Sequence, residues 1–154
     1  MFYLFPPLIP FVLIANGVWD AIIFTIAIKV LGLAMGWKDY FKHWIKVVFF
    51  GFLADVIGAL FALPVMFVPS SNFIDRITDG LGGFKFTFES LLVSVPALLI
   101  SSFLIYYFNK RFSFKDREPL EAHRLSLILA IFTAPITFIL PVYRILDFFG
   151  VSVY

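Results

Sequence analysis

The sequence predicts an all-α membrane protein, a four-helix transmembrane bundle, and three observations lead there. Hydrophobic residues make up 62% of the 154 and charged residues only 14%, against roughly 45–50% and 25% in ordinary soluble domains. Stretches 56–74, 90–109 and 125–143 are nearly charge-free, each close to the roughly 18–20 residues that a helix needs to cross hydrocarbon. Basic side chains concentrate in alternate loops. A soluble globule of this size could not hide so much apolar surface.

The spans expected are about 8–34, 45–68, 88–108 and 120–145, within one transmembrane domain covering 1–154. The first is interrupted by Asp20 and Lys29, and the second carries Asp55. Thr87 with Glu89 opens the third. Glu118-Pro119 with Glu121 opens the fourth, because proline fits a first helical turn and acids suit its positive end. The outer 69–87 loop is expected to hold a short interfacial segment stopped by Gly80. Gly32 and Gly36 stand at GxxxG spacing, with Gly36 read as the stop of the first span. The uncharged, proline-containing start does not resemble a secretory signal.

Charge sets the expected orientation. Lys38, Lys42 and Lys46 lie between spans one and two, and Lys110, Arg111, Lys115, Arg117 and Arg124 between three and four. Lys29 adds to that side, while the other holds only Arg76, Lys85 and Arg144. The positive-inside bias therefore places both basic loops in the cytoplasm and both termini outside. Aromatic residues near the boundaries agree: Trp37, Tyr40, Trp44, Tyr106 and Tyr107 inside, Tyr3, Phe67 and Tyr143 outside.

Asp20 and Asp55 are the residues that a lipid-embedded chain must explain. Each falls ~18–20 Å from the outer end of its span, so both lie near the midplane. Spans joined by a short loop usually pack together, which brings the two acids face to face. Asn16 is one turn from Asp20 and is expected to orient it. Thr133, with Ser94 or Ser101, is expected to complete the site. Lys29 points the other way and is expected to snorkel inward. Two carboxyls in low dielectric should share a proton or hold a cation, and intramembrane acids are usually functional.

Pro64, Pro96 and Pro135 are read as plain kinks. The loop KRFSFKDR interleaves Phe112 and Phe114 with Lys110, Arg111, Lys115 and Arg117. That pattern could contact anionic lipid headgroups, although orientation alone accounts for its charge. No cysteine is present, which removes disulfides and thiolate sites. His43 and His123 lack a partner histidine at helical spacing, so no metal or other cofactor is expected.

Residues 72–80, NFIDRITDG, resemble the N-x-x-D-R stretch of lipoprotein signal peptidases, and 52–55, FLAD, faintly resemble that family's second aspartate motif. The motif order is reversed, however, and Asp55 should lie ~20 Å deeper than Asp75. A working dyad needs carboxyls close enough to share water, so no hydrolase is expected.

The leading expectation is proton- or cation-linked transport through a homo-oligomer in the cell membrane. The alternative is a non-catalytic subunit whose Asp pair docks a membrane-protein partner. The lipid bilayer is the expected environment, and the net charge of +2 is too small to suggest nucleic acid.

Overall fold

The computed structural model describes residues 9–62, 64, 72 and 88–134. They form four helices: α1 Ile9–Val30, α2 Trp37–Ala62, α3 Phe88–Phe108 and α4 Pro119–Phe132. A π-turn, Asn109–Ser113, extends α3. No strand occurs among the described residues. The helices pack around one interior, with α2 touching α1 and α3, and α4 touching α3 and α1.

Helix ends follow capping chemistry more closely than charge. α1 stops at Val30, short of the expected 34, and Gly32 rather than Gly36 is its stop. Gly32 has φ +65°. The Gly32 amide donates to Lys29 O and the Leu33 amide to Ile28 O, the bond pair of a Schellman cap. Gly36 instead begins α2, its carbonyl accepting the Tyr40 amide at 2.9 Å. α2 therefore starts eight residues ahead of the expected 45. Lys38, Lys42 and Lys46 end an apolar run without ending a helix, and Asp39 suits the positive first turn.

The third helix has its expected bounds and continues through Pro96. Pro64 lies past the end of α2 rather than inside it. α4 begins as expected, with Pro119 at its first position. It does not run unbroken toward 145, because Thr133 leaves helical geometry at φ −107°, ψ 0°. Proline at 135 opposes helical geometry at the residue before it and removes a donor, so an early stop has a local cause. Apart from residue 72, the expected outer segment 69–87 lies outside the described residues, as do Tyr3, Phe67, Tyr143, Arg76, Lys85 and Arg144.

The segments Trp37–Phe61 and Leu91–Ser113, of 25 and 23 residues, are long and apolar enough to cross a membrane. Their large apolar side chains mostly face outward: Trp37 is 76% exposed, Phe49 62%, Leu99 63% and Phe103 63%. The interior holds Asp20, His43, Asp55, Ser94, Ser101, Asn109, Ser113, Ser126 and Thr133. Small buried residues, among them Gly51, Ala54, Gly58, Ala59 and Ala97, let the backbones of α2 and α3 approach closely.

Candidate functional site

The two acids are buried in one cluster. Asp20 is 5% exposed on α1 and Asp55 2% exposed on α2. Helical spacing puts Asn16 and Asp20 on one face of α1, and Gly51 and Asp55 on one face of α2. The antiparallel pairing then sets Asn16 against Asp55 and Asp20 against Gly51. The geometry shows both contacts. Asn16 Nδ2 donates to Asp55 Oδ2 at 3.1 Å, and Asp20 Oδ2 rests against Gly51.

Asn16, expected to orient Asp20 on its own helix, reaches across to Asp55. On α3, Ser101 Oγ donates to Asp55 Oδ1 at 2.7 Å. Ser94 is buried on the same helix, ~10 Å from Ser101 along the axis, and no hydrogen bond joins it to either acid. Asp55 is therefore anchored from two neighbouring helices.

Asp20 is held differently. The Thr133 hydroxyl lies near it and donates to Leu129 O at 2.8 Å. A hydroxyl has one proton, and the carbonyl can only accept. While that proton is on Leu129 O, Thr133 offers Asp20 lone pairs, which can receive a carboxylic-acid proton or coordinate a cation. Thr133 is also the C-cap of α4, so Asp20 faces the negative end of a helix. Trp19 closes this end by donating its indole N–H to Phe132 O at 2.9 Å.

The basic loop divides into two parts. Lys110, Arg111 and Lys115 are exposed and Arg117 is half-buried. Lys110 bonds the Tyr106 hydroxyl at 3.0 Å, and Phe112 stacks on Phe50. Phe114, interleaved with the basic residues in sequence, is fully buried between Phe24 and His43. Lys42 pairs with Asp116 across the α2–loop junction at 3.0 Å.

Sequence reasoning missed a second polar level. His43 is buried, and its Nδ1 lies 2.6 Å from Ser113 O. A carbonyl can only accept, so the ring proton sits on Nδ1. Asn109 donates its amide to Ile105 O. Asn109 Oδ1, Ser113 Oγ and Ser126 Oγ are buried without a hydrogen-bond partner among the described residues. The available signal was the spacing Ser101–Ile105–Asn109–Ser113, which continues the polar stripe of α3 past its expected end. Searches with this chain match no known protein family, no curated protein and no solved structure.

Proposed function

We propose that this chain is a multi-pass membrane protein that carries protons or a monovalent cation past Asp20 and Asp55. It works as a homo-oligomer in the plasma membrane, with four spans and both termini outside. The observation that carries this reading is the setting of Asp20: a buried carboxyl against a second buried carboxyl, a threonine hydroxyl and the carbonyl end of α4.

Every one of those groups favours positive charge. Oxygen ligands suit hard cations, and helix carbonyl ends inside membranes are a recurrent way to hold sodium ions or protons. The outward apolar and inward polar distribution suits lipid as the solvent, since soluble monomers rarely expose such contiguous apolar surface. The nine-to-three division of basic residues supports the orientation. A bundle of this size has little room for a pathway of its own, which favours an oligomer.

The test is ion flux into vesicles containing the purified protein, followed with an entrapped pH dye under sodium or potassium gradients. Flux above that of empty vesicles is expected, and Asp20→Asn should abolish it. Flux that survives Asp20→Asn would remove the reading. So would an absence of flux together with a co-purifying membrane protein lost in Asp55→Asn, which would favour docking.

A further inference from the structure

We infer that Phe24, Val47, Ile105 and Leu129 form the barrier layer that closes the acid pair off from the basic-loop end of the bundle. The inference rests on the transport reading for its meaning, although its main test does not require transport.

The layer follows from register. Each residue lies four positions from a member of the acid cluster, always toward the basic loops. Phe24 follows Asp20, Val47 precedes Gly51, Ile105 follows Ser101, and Leu129 precedes Thr133. Four positions are one turn, ~6 Å along the axis, and they share a helix face. Each helix supplies one member, and all belong to one buried cluster. Their exposures are 0%, 1%, 1% and 0%. Phe24 is further fixed by stacking on Tyr40 and Phe114 at ring distances of 5.3 and 5.7 Å.

One more turn brings polar groups back. His43 precedes Val47 by four, Asn109 follows Ile105 by four, and Ser126 precedes Leu129 by three. Asn109 Oδ1 and Ser126 Oγ have no hydrogen-bond partner among the described residues. Buried polar atoms are ordinarily satisfied, by protein or by ordered water. Phe114 and Leu125 are buried at that inner level too, yet a purely structural core would not require polar groups on both sides of the layer. Polar level, apolar layer and polar level together resemble a hydrophobic constriction, which stops ions by excluding water.

The chain has no native cysteine, so single introduced thiols report access cleanly. Ser101→Cys, with Ala97→Cys as a second reporter, samples the acid side, and Lys115→Cys samples the basic-loop side. A membrane-impermeant cationic methanethiosulfonate is added to oriented vesicles from the side where Lys115→Cys reacts. Lys115→Cys should be labelled, and Ser101→Cys and Ala97→Cys should not. Adding Phe24→Ala or Leu129→Ala should turn Ser101→Cys from unlabelled to labelled from that side. Val47→Ala removes less volume and serves if the larger truncations fail to fold.

Labelling of Ser101→Cys or Ala97→Cys from that side with the layer intact would overturn the inference. So would continued protection in folded, truncated variants. Unchanged flux in Asp20→Asn would instead defeat the transport reading and leave the labelling result standing.

Discussion

Asp20 Oδ2 stands 3.2 Å from the point where a β-carbon on Gly51 would sit. Glycine at 51 is therefore what lets a carboxyl from α1 lie flat against the α2 backbone. Asp55 lies one turn beyond Gly51 on the same face, so one close helix approach places both acids.

Gly51→Val should consequently destabilise the protein by about 1–3 kcal/mol, the usual cost of overpacking. Valine is a clearer probe than alanine, whose helix propensity offsets about 0.5–1 kcal/mol of any clash. Thermal unfolding in detergent measures the change. Combined with Asp20→Ala the penalty should largely vanish, because the opposing atoms are gone. A penalty equal in both backgrounds would mean that Gly51 is pressed by some other group.

Gly32 and Gly36 provide a paired test of the α1 end. Gly32→Ala places a β-carbon at φ +65°, a left-handed conformation that costs about 1–2 kcal/mol for a non-glycine residue. Gly36 has no positive φ and open space around it, so Gly36→Ala should be close to neutral. Equal effects in unfolding experiments would contradict the cap assignment.

These glycines also show what was legible beforehand. Periodicity and apolar length located all four helices, because they report which face avoids water. They could not separate Gly32 from Gly36, since the stop depends on two backbone hydrogen bonds and one dihedral. Helical spacing similarly placed Asp20 and Asp55 together and singled out Thr133 and Ser101. One cross-helix contact was not foreseen: Asn16 shares a face with Asp20, and its amide reaches Asp55 across the interface. Face sharing says what points inward, and the offset between helices says what meets. The π-turn left no signal in apolar periodicity, so Asn109 and Ser113 were passed over.

Orientation is open to a direct measurement. A reporter active only outside the cytoplasm should score when fused after Tyr154. The same reporter should stay silent when inserted near Ser113, between the basic clusters. The reverse result at both positions would invert the proposed topology.

Asp116, which lies outside the spanning segments and pairs with Lys42, gives a pH signature. The Lys42 ammonium, hydrogen-bonded at 3.0 Å, holds the Asp116 carboxyl below the usual carboxylate range. A depressed folded value means that the pair contributes above the ordinary aspartate value of about 3.9 and is lost as pH falls through the folded one. Both side chains are well exposed, so salt should weaken the contribution. The stability gap between wild type and Asp116→Asn should therefore be small at neutral pH and should close on acidification or in high salt. A gap that widens in acid would assign it to something other than this pair.

The acid pair itself supports the most demanding prediction. Asp55 is anchored by Asn16 and Ser101, whereas Asp20 faces a hydroxyl whose proton has a carbonyl competitor. Both carboxyls are buried on adjoining faces of α1 and α2, and acids that interact by more than about one pK unit titrate as a coupled pair. Changing either one should then move the titration of the other. Infrared difference spectroscopy can follow the carboxyl stretch in wild type, Asp20→Asn and Asp55→Asn, with the mutant that loses the band identifying its owner. The Asp20 midpoint should move when Asp55 is neutralised, and an added sodium or potassium salt should displace a proton from wild type but not from Asp20→Asn. Both variants should stay folded, because asparagine preserves shape while removing one of two mutually repelling charges. An Asp20 band with the same midpoint in the presence and absence of the Asp55 charge would show that the acids act independently. The proposed ion site would then fail, whatever the packing around it.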